Sequence, residues 1–180
     1  MARMPYFDVN EVTGPLGELV RGRPPLNLYR ILPNAPETAI GFLSLGRAIL
    51  TKSALPATLR ELAILRVGAL CRATYEIHQH RRVARAAGLS QAKIEAALSP
   101  DSTEGLDWRE TLVVTFTDAV VRDVKAPEEL YARIAKELGD QQTMELLVTI
   151  GYYMLVSRLL ENLEVDIENP PIEHLEMHRD

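Results

Sequence analysis

Between Leu62 and Leu70 every residue except Arg66 is apolar. Pro56 stands where a helix can open, and the pattern then runs as a helix to about Cys71. A helix that is apolar on most faces cannot lie on a surface, because other elements must cover it nearly all round. The charges at or inside this run, Arg60, Glu61 and Arg66, are costly to bury unless each meets a partner.

The elements available as cover are also helical. Asn34 can cap a helix over 36–51, with Pro36 and Glu37 in its first turn. Tyr75 to Ala87 fits a further helix that Gly88 closes with a left-handed cap. Ser90 caps a short helix carrying Ile94 and Leu98, which Pro100 stops. Asp107 and Glu110 have the spacing of a capping box before Leu112, Val113, Phe116 and Val120. Pro127 opens a helix that Gly139 ends, and a long one spans Asp140 to Leu163, offering Leu146, Ile150, Tyr153, Leu155 and Leu159 for packing. No alternating run bounded by hairpin turns suggests a strand. The expected class is all-α, a bundle of about seven helices over 36–165. An irregular arm over 1–35 precedes it, where Gly14, Pro15, Gly22, Pro24 and Pro25 leave no room for a long helix. Tyr6, Phe7, Leu26, Leu28 and Tyr29 should dock that arm on a neighbouring surface. Residues 166–180 read as a polar tail.

Charge and composition narrow the function. The 180 residues carry 20 Lys+Arg against 25 Asp+Glu, a net charge of −5, which offers no basic field for nucleic acid. With 47% hydrophobic and 25% charged residues the chain belongs with globular proteins rather than disordered ones. No apolar run approaches the ~20 residues of a membrane span. The first residues lack the apolar core of a secretory signal, so a cytoplasmic location is expected. Cys71 is the one cysteine, which excludes an intramolecular disulfide, a cysteine zinc cluster and a two-cysteine redox centre within one chain.

Two groups of residues could carry chemistry. Glu76 and His80 share a helix face, an arrangement in which a carboxylate fixes the imidazole tautomer and raises its proton affinity. His78 should point elsewhere. The same spacing also describes an ordinary surface pair, and Glu61 with Arg66 an ordinary internal ion pair. Arg81, Arg82 and Arg85 could gather an anion or simply form a solvated face. His174 and His178 share spacing beside Glu173, but a proline-bounded acidic tail is a poor platform for a metal.

The run Arg60-Glu61-Leu62-x-Ile64-Leu65-Arg66, then Tyr75-Glu76-x-x-x-His80, then Ala87-Gly88-Leu89-Ser90, resembles the carboxymuconolactone decarboxylase / alkylhydroperoxidase D-like (AhpD-like) family. Gly151-Tyr152-Tyr153-x-x-x-Ser157-Arg158-Leu159-Leu160 looks like the closing helix of its longer members. The resemblance implies an all-helical homo-oligomer (dimer, trimer or hexamer) with a site between paired helices. Laid on from Glu61, the two cysteines of the family's peroxidase branch fall on Ala73 and Glu76, while its histidines fall on Tyr75 and His80. A dithiol cycle needs both thiols, so the resemblance points to the decarboxylase branch instead.

By that resemblance His80 is the acid/base, Glu76 its partner or the proton carrier, and Glu61 orients the imidazole. Arg66 is either a carboxylate anchor or the structural mate of Glu61, and Tyr75 and Tyr152 are further candidate substrate contacts. The expected activity is lyase or isomerase chemistry on a small carboxylated or lactone-like metabolite, with no cofactor, metal, nucleic acid or membrane partner. The alternatives are a non-enzymatic oligomeric binding protein on the same fold, and thiol chemistry through Cys71.

Overall fold

The computed structural model describes residues 2–169. Among them there is no strand, and the helices run in the order α1 (Gly14–Val20), α2 (Asn27–Ile31), α3 (Pro36–Lys52), α4 (Ala57–Cys71), α5 (Thr74–Ala86), α6 (Gln91–Ala97), α7 (Trp108–Asp123) and α8 (Glu128–Asn162). One 3-10 turn, Leu32–Asn34, joins α2 to α3.

The apolar run from Leu62 forms the middle of α4, where every residue from Leu59 to Gly68 is buried. α5, α6, α7 and α8 all pack on it, which is the cover its sequence demanded. Arg72 turns the chain out of α4 in the left-handed conformation (φ 56°), and its amide donates to Ala69 O at 3.1 Å. The turn folds α5 straight back along α4. Their approach is close at Gly68, where an added Cβ would stand 3.1 Å from Ile77 Cγ1.

Asn34 does not cap α3: Ala35 stands at its N-cap, and Asn34 Nδ2 donates to Pro5 O and Ile31 O. Other local end signals act as their chemistry predicts. Asp107 accepts from the amides of Arg109 and Glu110, and Glu110 accepts from the Asp107 amide at 2.9 Å, completing the capping box. Ser90 Oγ accepts from the Lys93 amide at 3.3 Å. Gly139, at φ 72° and ψ 172°, breaks α8 at the residue where its sequence places a stop. The two segments of α8 and helices α3 to α7 account for the expected seven.

Several expectations need correction. The arm is not irregular throughout, for it contains α1 and α2. Pro15 sits in the first turn of α1, where its fixed φ suits a helix and its missing N–H costs nothing, so prolines shorten these helices without forbidding them. Leu155 does not pack but stands 52% exposed. Lastly, α8 is long and apolar enough by length and composition to cross a membrane, with mean hydropathy 1.2 over its most apolar 18 residues. Half of that window is buried within the fold, the pattern of a core helix.

The arm is docked, although Phe7, expected to help hold it, stands 39% exposed. Leu16, Val20, Ile31 and Leu32 are buried in the common core, Tyr6, Leu28 and Tyr29 pack against it, and α1 packs on α3. Residues 166–169, expected to begin a polar tail, are instead built against the arm, with Glu168 only 8% exposed. His174, His178 and Glu173 lie outside the described residues.

Candidate active site

His80 lies at the centre of a buried charge cluster. Its Nδ1 donates to Glu61 Oε2 on α4 at 2.7 Å, and its Nε2 donates to Glu76 Oε1 one turn earlier on α5 at 3.0 Å. With a carboxylate on each ring nitrogen, both nitrogens carry protons and the ring is an imidazolium. Burial by itself would lower the histidine pKa, but the charges of Glu61 and then Glu76 outweigh it and push it up to about 10. Tyr153 of α8 stands edge-on to the imidazole, ring centroids 4.9 Å apart. Arg60 Nε lies 3.6 Å from Glu61 Oε1, beyond hydrogen-bond reach yet close enough to offset part of the negative charge.

Above this cluster lies a cavity of about 450 Å³, walled by α3, α5, α8 and the arm. His80 and Glu76 line it, whereas Glu61, fully buried, holds the imidazole from behind. Glu76 Oε2 makes no hydrogen bond among the described residues and is the cluster's free acceptor on the cavity side. The hydroxyl of Tyr153 likewise makes none, and burial first, then the charge of Glu76, keeps it a neutral donor well below its raised pKa. Phe42 and Tyr152 form a wall with ring centroids 5.1 Å apart. Gly46 makes room for it: a Cβ there would lie 2.4 Å from the Tyr152 hydroxyl.

Tyr75 and Tyr152, the expected contacts, do line the cavity, but their hydroxyls are already engaged. Tyr152 donates to Phe42 O at 3.1 Å, and Tyr75 donates to Glu168 Oε1 at 2.6 Å. What they present to a ligand is mainly ring surface. Arg66 is misplaced in both expectations. It points away from the cavity, pairs with Asp118 Oδ1 at 2.9 Å, and donates to the carbonyls of Ala97, Ser99 and Ser102. It is therefore neither an anchor in this cavity nor the mate of Glu61, because residues five apart on a helix diverge by more than a right angle. Arg81 pairs with Glu95, and Arg85 bonds Gln91, in keeping with the solvated-face reading. Cys71 is half-buried at the end of α4 and does not line the cavity.

Glu168 is a site neighbour that sequence reading missed. Its carboxylate accepts from the Asn27 amide at 2.6 Å, from Tyr75 Oη at 2.6 Å and from Gln79 Nε2 at 2.8 Å. Asn27 Nδ2 also donates to Asp166 O at 2.8 Å, so arm, α5 and C-terminal segment meet at one point beside the cavity. Glu168→Ala would leave three donors without their acceptor and is expected to cost about 3 kcal/mol. Hydrogen exchange checks this: amides over 26–31 should exchange faster while those of α4 stay protected. Unchanged exchange in the arm would show that Glu168 does not hold it. Nothing short-range pointed to Glu168, since its partners lie 89 or more residues away.

Fold and site together define an all-helical protein built on a carboxylate–imidazolium–carboxylate cluster beneath a cavity. Residues 36–119 match the model of the carboxymuconolactone decarboxylase family, a span running from α3 into α7 that contains Glu61, Glu76 and His80. This segment resembles that family, and the fold of the chain is AhpD-like. It is similar to an uncharacterised peroxidase-related protein with an alkylhydroperoxidase AhpD core from Ralstonia eutropha JMP134, with TM-score 0.81, 12% identity, and coverage of 96% of this chain and 93% of the other. A protein of unknown function from Agrobacterium tumefaciens, assigned to AhpD antioxidant defence, superposes with TM-score 0.69 at 18% identity, covering 75% of this chain and 93% of the other. At these identities the likeness is one of fold. No curated protein matches the sequence.

Proposed function

We propose that the chain is a proton-transfer enzyme, a carboxymuconolactone decarboxylase-like lyase or isomerase acting on a small carboxylated or lactone-like metabolite. The observation that carries this reading is the cluster itself, an imidazolium whose two N–H groups are both engaged by carboxylates, one of them facing a cavity. Because both ring nitrogens are engaged, protons pass to and from a ligand through Glu76, with His80 as the reservoir behind it and Glu61 fixing the ring. In a decarboxylation the carboxyl C–C bond breaks and its electron pair enters the conjugated ring system. Carbon dioxide leaves, and the Nε2 proton of His80 passes through the Glu76 carboxylate to the carbon of the new C–H bond. The neutral His80 then takes a proton from solvent. In an isomerisation Glu76 removes a proton from one carbon and returns it to another. The Tyr153 hydroxyl is placed to hydrogen-bond the oxygen on which charge develops.

The test is a screen of unsaturated lactone acids and oxo acids against wild type, Glu76→Gln and His80→Gln. Both variants should lose turnover by at least about a hundredfold with their helical circular dichroism intact. Full activity in either one overturns the assignment. The pH dependence is a second check. With its pKa raised to about 10, His80 should stay protonated through the neutral range and lose its proton only as pH rises through about 10, visible as an imidazole nitrogen titration by NMR. A midpoint near the ordinary 6.5 would remove the second carboxylate from the scheme.

A homo-oligomer and a cytoplasmic location complete the proposal. Met144, Val148 and Leu155, exposed along one stripe of α8, together with Leu45 on α3, support contact with another copy. Sedimentation of the intact chain measures the subunit number. The lone cysteine suits a reducing compartment.

A further inference from the structure

The mouth of the cavity carries charge of the opposite sign to the molecule as a whole. The chain is −5 overall, yet Arg21 and Arg23 of the arm and Arg47 of α3 line the cavity, against a single carboxylate, Glu18, on the same wall. Arg23 is held in place: Nε donates to Leu19 O at 2.6 Å, Nη1 reaches Tyr29 Oη at 3.4 Å, and the guanidinium lies 5.3 Å above the Tyr29 ring. Its Nη2 has no partner among the described residues, and the side chains of Arg21 and Arg47 make neither ion pair nor hydrogen bond there. Three guanidinium groups at a cavity mouth, one of them fixed in orientation, form a receptor for an anionic group.

The base of the cavity sets the direction in which an anion must lie. Arg60 offsets part of the charge of Glu61 from behind, but Glu76 faces the cavity with an unbonded carboxylate oxygen, which repels a group that stays charged through the reaction. Between base and mouth runs the tilted pair of Phe42 and Tyr152, a wall suited to a flat apolar body. We infer that the cavity takes an organic anion with a flat, apolar body, the group that keeps its charge held at the mouth by Arg23 and Arg47 and the carbon that exchanges a proton turned toward Glu76. This rests on the proposed role of the same cavity and adds the class and orientation of its substrate. Arg23 and Tyr29 lie outside the matched segment 36–119, so the arm supplies part of the selectivity from residues of its own.

Two fluorescent probes with the same aromatic body test it: 8-anilinonaphthalene-1-sulfonate, which carries an anion, and N-phenyl-1-naphthylamine, which does not. The intact wild-type chain should bind the sulfonate at least about tenfold more tightly than the neutral amine. Arg47→Gln should reduce that preference, and Arg23→Gln with Arg47→Gln should abolish it, with binding of the neutral probe unchanged. Arg47 is exposed at the surface, so its single variant reads out even if the double variant folds poorly. A sulfonate preference that survives both substitutions overturns the inference, as does equal binding of the two probes to wild type, or no binding of either. The acid/base reading is decided separately, by the turnover of the His80 and Glu76 variants.

Discussion

Replacing His80 with alanine is expected to lower stability by about 3–5 kcal/mol, measured by urea denaturation at neutral pH. The imidazolium is the cation between two buried carboxylates, with Glu61 fully inaccessible and Glu76 only 3% exposed. Removing it leaves their charges facing each other across a cavity, and Arg60, at 3.6 Å from Glu61, reaches only one of them. The pH profile distinguishes this from a simple loss of packing. In the wild type the folded-state pKa of about 10 lies above the ordinary 6.5, so the contribution of His80 is fully present below about 6.5 and is lost as pH rises through about 10. In the variant the loss of stability through about pH 10 should be absent. A variant that is destabilised equally at every pH would show that His80 acts there only by filling space.

Arg66→Met should cost a comparable amount for a different reason. Arg66 is 1% exposed and is the shared partner of Asp118 and of three backbone carbonyls between Ala97 and Ser102. Burial lowers its pKa despite the attraction of Asp118, and burial raises that of Asp118 despite the attraction of Arg66. Each is thus held charged mainly by the other. Removing the cation should lower stability by about 3–5 kcal/mol, with the thermal midpoint falling by roughly 10 °C. Arg66→Met combined with Asp118→Leu should recover much of the loss, since an apolar pair of similar volume avoids the desolvation. Naphthylamine binding below the unfolding transition should be unchanged in the single variant. An Arg66→Met protein as stable as wild type would remove the structural role, and lost probe binding would return Arg66 to the cavity.

The contrast between His80 and Arg66 shows how far reading along the chain reaches. Glu76 and His80 are one turn apart, so their shared face follows from helix geometry, and the structure places them in contact. Glu61 entered through the family motif, and the α4–α5 turn at Arg72 brings its carboxylate onto the imidazole. Arg66 lies in the same motif, yet its partner, Asp118, comes from α7, a helix away in space and much of the chain away in sequence. Tyr153 stood out as a packing aromatic within the closing-helix motif. That its hydroxyl faces the cavity unbonded depends on how α8 lies across α4 and α5.

By itself the sequence determined the helices from α3 onward, the burial of α4 and the break at Gly139. These follow from signals that act within a few residues: apolar periodicity, the Asp107–Glu110 box, the Ser90 cap and a glycine free to take positive φ. Only the tertiary structure decided which buried charges meet, that the arm rather than the bundle supplies Arg23 to the cavity, and that Glu168 ties that arm to α5. A buried charge is stabilised by whatever group lies within a few ångströms, and helix packing brings together residues whose separation along the chain carries no signal.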